Sequence, residues 1–401
     1  MKIQTAYGEV HVLTNCPLLE STERLEFLTE VHESFDGSEE RNALRDAPRQ
    51  ILSFKYVQLQ KAMGDMFHML YANLRNYWGI PLRQVKRTIP DIAADFIILD
   101  TITTQADLKV GFAFIESDEG VQVIEITEIG RYIIIQEEIR DPETNEVIQP
   151  LETEYQDGFR LSANITATNA VIMPLRICII DGDASLNAGG FWSNASVVFR
   201  VIAEDLPEHD GDEPMRYLGD DLYLNPLRLD GDSLEMTLTQ QQSIVDGTNG
   251  GFQQFTHHAK PRYIKPFKSV LKDWSEFHEY RRFLFRRMGR LKAFWMPLYE
   301  KHLHITNTGT VYNVLNTDTA YILEADRKHI AVKVNDVWTA HAITAKTATT
   351  LTVSPALNLP VSDIQKVCYL GLHRFDADQI EFQFLGAGKT QVTVPIVELS
   401  S

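Results

Sequence analysis

Alternating aspartates are a common way for a chain to offer oxygen ligands to calcium, and Asp181-Gly182-Asp183-Ala184-Ser185-Leu186-Asn187 opens in that manner. The glycine and the late bidentate glutamate that complete such a loop do not follow, so the segment reads as an acidic turn. His257-His258, or His302 with His304, could supply imidazole ligands, since alternate strand residues share a face; surface or interface histidines are the simpler reading. Glu208, Asp210, Asp212 and Glu213 supply carboxylates for acid/base work. Glycoside hydrolysis needs two carboxyls fixed across a cleft, however, and this run is local and glycine-containing, as a solvated loop would be. No nucleophile elbow, phosphate loop or metal-ligand spacing occurs in its required context. The sequence nominates no catalytic residue, no cofactor and no metal ligand.

The densest basic cluster is Arg281, Arg282, Arg286, Arg287, Arg290 and Lys292. Spacings of four would align Arg282, Arg286 and Arg290 on one helical face. Such a face could bind an anion, but against a net charge of −17 it reads better as an interface that meets acidic surface on a neighbouring subunit. The same net charge argues against sequence-specific nucleic-acid binding, which needs basic residues to neutralise phosphates. Trp78 and Trp295 each precede a Pro-Leu pair and could stack on sugars. We read them, with Pro81 and Pro297, as anchors where a helix packs on its sheet.

The elements that must position these residues are organised by an internal duplication. Asp36-Gly37, Pro48-Arg49, an alternating strand, a helix and Trp78-Gly79-Ile80-Pro81-Leu82 recur as Asp246-Gly247, Pro261-Arg262, a strand, a helix and Phe294-Trp295-Met296-Pro297-Leu298. The offsets are 246 − 36 = 210, 261 − 48 = 213 and 297 − 81 = 216. Gly158-Phe159-Arg160 is matched to Leu372-His373-Arg374, and Met173-Pro174-Leu175 to Val394-Pro395-Ile396. Leu59, Ala62, Met63, Met66, Leu70 and Leu74 mark an amphipathic helix over 58–77, with Gly79 and Pro81 as stops. Trp274, Phe277, Phe283 and Leu284 mark another over 270–288. Each Pro-Leu is followed by a Val-, Ile- and Thr-rich region, 84–150 and 303–370, read as β inserts.

The expected fold is therefore mainly β, built of sandwich or barrel units, internally duplicated, with one amphipathic helix per unit and α+β character in places. The expected organisation is an N-terminal arm (1–19), a first unit (20–180), a connecting β segment with acidic loops (181–240) and a second unit (241–401). The three cysteines, Cys16, Cys178 and Cys368, fit neither a disulfide framework nor a zinc site. With no long apolar run and no basic-then-apolar leader, membrane insertion is not expected.

Four phrases in order resemble a family of siphophage distal-tail or minor tail proteins. They are Glu23–Glu30 followed by Asp36-Gly37-Ser38-Glu39-Glu40-Arg41, Leu44-Arg45 and Pro48-Arg49; Asp246–Gly250; Arg287-Met288-Gly289-Arg290-Leu291-Lys292-Ala293-Phe294-Trp295-Met296-Pro297; and Arg374–Asp378 with Glu398-Leu399. The resemblance implies a non-enzymatic virion protein that forms a ring at the tail tip. Its implied partners are copies of itself, as a pseudo-sixfold trimer or a hexamer, and the tail tube, hub or fibre and tape-measure proteins. Assembly would take place in the host cytoplasm. An acidic channel that repels exiting DNA is a further expectation. A host-receptor or carbohydrate-binding tail protein, using the 181–240 loops or exposed aromatics, is the alternative reading.

Overall fold

A computed structural model describes the chain except for residues 19, 35–36, 100–107, 137–138, 141–146, 150–151, 190, 203–213, 226–236, 240–241, 249, 257–261, 319–326, 387 and 400–401. The first unit contains β1 (Lys2–Thr5), β2 (Gly8–Val12), β3 (Ser21–Glu26), the hairpin β4 (Thr29–Glu33) and β5 (Glu39–Ala43), β6 (Arg49–Leu59), α1 (Gln60–Ala72) and β7 (Trp78–Pro81). After an insert come β8 (Val171–Ile180), β9 (Ser185–Gly189) and β10 (Trp192–Val201). The second unit repeats the list: β11 (Arg216–Tyr217), β12 (Asp220–Leu222), β13 (Thr237–Thr239), the hairpin β14 (Gln242–Gly247) and β15 (Gly251–Thr256), β16 (Arg262–Leu271), α2 (Trp274–Arg287) and β17 (Phe294–His302). After its insert come β18 (Ile364–Phe375), β19 (Gln379–Gly386) and β20 (Lys389–Glu398).

The pairings repeat with the elements. β1 pairs with β2, and β2 lies parallel to β7; β11 pairs with β12, and β12 lies parallel to β17. β7–β8, β8–β10, β9–β10, β10–β6 and β6–β3 are antiparallel, as are β17–β18, β18–β20, β19–β20, β20–β16 and β16–β13. Even isolated bonds recur: Asp181 N donates to Val198 O and Asp376 N to Pro395 O, while Leu13 N donates to Gly79 O and Tyr223 N to Trp295 O. The fold is thus mainly β and internally duplicated.

Registers fix which residues correspond. Ile51 faces Arg200 as Ile264 faces Val397, giving 264 − 51 = 213. Gly79 faces Ile177 as Trp295 faces Leu372, giving 295 − 79 = 216. The two later matches of the sequence reading fail. Pro81 faces Leu175 and Pro297 faces Leu370, so Leu175 corresponds to Leu370 rather than to Ile396. Gly158 to Arg160 lie in the first insert and have no counterpart in β18. The hairpin turn also shifts: Gly37, at φ 86° and bonded to Ser34 O, corresponds to Gly250, at φ 91° and bonded to Gly247 O, whereas Asp246 and Gly247 end β14. The unit boundaries move with these assignments. Residues 2–12 are a hairpin docked on β7 rather than an arm, and 185–201 complete the first unit rather than connect the two.

Both helices are shorter than their apolar spacing suggests. In α1, Met63, Met66 and Leu70 are buried, while Leu59, Ala62 and Leu74 are exposed. The helix ends at Asn73, whose amide donates to Met69 O, before Gly79 and Pro81, which lie in β7. α2 starts at Asp273, whose carboxylate accepts from Glu276 N while Glu276 accepts from Lys272 N. It ends at Met288 in the left-handed region, followed by Gly289. Phe277, Tyr280 and Leu284 are buried at the spacing of Met63, Met66 and Leu70, and the two triplets meet in one core. The inserts have cores of their own, around Ile97, Ile126 and Phe159 in the first and Leu315, Ile330 and Leu351 in the second.

Trp78 and Trp295, paired as anchors by the sequence reading, are not equivalent. Trp78 corresponds to Phe294, and both are buried in the central core. Trp295 corresponds to Gly79 and turns to the opposite side, against Leu222, Trp338 and Cys368. Each still anchors a core with its strand, next to Pro81 or Pro297.

Candidate functional site

Among the described residues, one strand pairing joins the two units: β3 of the first also pairs with β19 of the second, from Ser21 opposite Phe384 to Glu26 opposite Gln379. This seam makes a continuous run of eight strands within a larger sheet, in the order β9, β10, β6, β3, β19, β20, β16, β13. It is closed by apolar burial, with Leu25, Ile380 and Phe382 each at 0% exposure. Truncating a core leucine costs its transfer free energy plus that of a cavity. Leu25→Ala is expected to lower the unfolding free energy by about 2–5 kcal/mol, measured by urea denaturation.

Ion pairs specify the seam. Glu23 on β3 lies 2.7 Å from Arg281 of α2, both 1% exposed, and accepts a bond from Gln50 at 2.8 Å. Glu39 on β5 accepts two bonds from Arg374 at 2.8 and 2.9 Å, and Arg374 reaches Asp376 at 2.7 Å. Burial opposes the charge of Arg374, but the carboxylates of Glu39 and Asp376 outweigh it and raise its pKa. Burial pulls Arg281 down, offset in part by Glu23. The β18–β19 turn closes the seam through Asp378, which accepts from Thr29 N at 2.8 Å and Arg290 N at 3.0 Å. Gly289 makes this possible: its φ is +63°, and a Cβ there would stand 2.5 Å from Asp378 Oδ1 and 2.9 Å from Phe27 Cβ.

The arginine cluster is largely committed inside the chain. Arg286 Nε and Arg287 Nη2 each lie 2.9 Å from the buried carboxylate of Asp221, on β12. Arg287 also donates to Ala293 O. Arg290 lies beyond the end of α2, 3.5 Å from Asp376, so it does not share a helical face with Arg282 and Arg286. Arg282 and Arg286 line a cleft of about 310 Å³ with Glu279, Asp221 and Tyr223. The expected neighbouring subunit is not needed to neutralise Arg286 or Arg290. Sequence spacing missed this because their carboxylates come from residues 221 and 376, distant in the chain.

The face of these eight strands turned away from the helices carries Arg24, Arg49, Lys55, Arg200 and Lys268 against Glu26 and Glu381, and apolar Ile51, Val57, Trp192, Val198 and Val270 among its serines, threonines and glutamines. Basic residues outnumber acidic ones there. The acidic run at 208–213 and His257-His258 lie outside the described residues. His304 is exposed. Among the described residues no group of three or more His, Cys, Asp or Glu side chains could hold a metal, and no helix is long and apolar enough to cross a membrane. Cys178 and Cys368 are buried and Cys16 is exposed, all as free thiols. No protein-family model matches the chain, and no characterised protein matches its sequence.

Proposed function

We propose that the protein is a non-enzymatic ring component at the tail tip of a tailed bacteriophage, joining the tail tube to hub or fibre proteins. Three copies assemble so that six like units surround one axis. The observation that carries this reading is the repetition of one set of strand pairings within a chain whose two units are already joined edge to edge. Extended around an axis, eight strands per copy give 24 in a trimer. At about 4.8 Å between strands and a tilt of roughly 40°, such a barrel is about 45–50 Å across. Barrels of 16–18 strands already leave an aqueous channel. The face opposite the helices, where polar and charged side chains are interspersed with apolar ones such as Val57 and Trp192, would line such a channel, and the resemblance of four sequence phrases to tail proteins points the same way.

Light scattering and negative-stain imaging of the purified protein test the reading. The expected result is a particle of three copies with a central hole and sixfold-like outline. A compact monomer over the whole accessible concentration range would count against it, and six copies would mean that each chain contributes its two units differently.

A further inference from the structure

Resting on that ring reading, we infer that β13 of one copy adds antiparallel to the β9 edge of the next, repeating between chains the β3–β19 seam that each chain contains. The argument is the duplication itself. β3 corresponds to β13 and β19 to β9, because each holds the same place against β6 or β16 and against β20 or β10. Inside the chain the first pair is joined. Among the described residues, β13 pairs only with β16 and β9 only with β10.

Exposure follows this difference. Leu25, fully buried at the seam, corresponds to Leu238, which is 57% exposed; Phe382, fully buried, corresponds to Leu186, which is 43% exposed. Phe285 packs on Phe27 with ring centroids 6.1 Å apart, whereas its α1 counterpart Tyr71 is 85% exposed. Leu238 and Leu186 stand on the two edges that the second copy would cover.

The chemistry changes on both sides together. Register carries Glu39 onto Phe252 and its partner Arg374 onto Ile179. It carries Arg24 onto Thr237 and the facing Glu381 onto Ser185. A charged pair at the inner seam becomes an apolar or hydroxyl pair at the outer one in both cases, so each surface matches its own partner and not the other. The contact uses different patches on the two copies, so it propagates head to tail and closes as a ring.

Paired cysteines test the register. In a Cys16→Ser background, Thr237→Cys with Ser185→Cys should give interchain disulfides on mild oxidation, with a covalent series that stops at three chains. Arg24→Cys with Glu381→Cys is the in-chain control and should close within one chain. Particles of three copies without the interchain bond would leave the ring standing and overturn this junction. An open-ended covalent series would keep the junction and overturn the closed ring, and neither assembly nor cross-link at any concentration would overturn both. Leu238→Asp, at an exposed site in the single chain, should abolish the particle and leave the monomer's unfolding transition in place; survival of the particle would overturn the junction.

Discussion

Arg281→Ala is expected to lower the unfolding free energy by about 3–5 kcal/mol, the range for removing one partner of a buried ion pair. Arg281 belongs to α2 and Glu23 to β3, so the pair ties the two units together at a site with almost no access to water. Removal of the guanidinium leaves the Glu23 carboxylate with the single bond from Gln50 to offset its desolvation. It also strips a planar cation from over the rings of Phe277 and Phe285, at 5.9 and 5.7 Å. Urea denaturation of the single variant and of Arg281→Met with Glu23→Gln separates the causes. The double variant, which carries no uncompensated charge, should recover most of the loss. If the single variant costs less than about 1 kcal/mol, the pair behaves like a solvated surface bridge and the seam is held by apolar contacts alone.

How far the sequence could be read depended on punctuation. Pro48 and Pro261 lie 213 residues apart, the spacing that the registers of β6 and β16 assign, because a proline before a strand survives as a recognisable mark. The later halves of the units have no such mark. β10 and β20 alternate apolar and polar residues while β8 and β18 are near-continuously apolar, so they match one another in several frames, and the frame that sets Leu175 against Ile396 competes with the true one, Leu370. Trp78 and Trp295 misled for a related reason: both precede Pro-Leu, but one residue of offset in a strand reverses the face. The seam was illegible because an edge is defined by which strand lies beside it. Leu25 and Leu238 are the same residue type in similar surroundings, and the partner that buries the first, β19, begins more than 350 residues later in the chain.

Asp221→Ala is expected to cost a comparable amount, about 3–5 kcal/mol, and it addresses what the arginine cluster is for. Asp221 is buried and touches Arg286 and Arg287 at 2.9 Å, with Arg216 at 3.9 Å. Burial pulls the pKa of Arg287 down, with Asp221 as the main opposing charge. A guanidinium keeps its proton in proteins, so loss of Asp221 leaves a charged group in the interior, and β12 loses the contact that ties it to α2. Asp220, more exposed and 3.9 Å from Arg287, is the control; Asp220→Ala should change stability by less than about 1 kcal/mol. If thermal and urea unfolding give equal small losses for both, Asp221 is not the partner that fixes Arg286 and Arg287, and those arginines become available to another chain. A large loss confined to Asp221 makes them an internal clamp that fixes β12 beside β17. Assembly then falls to the strand edges, whose chemistry is hydrogen-bonding backbone and apolar side chains, and particle formation should resist salt that screens exposed charges over about 10 Å at 0.1 M.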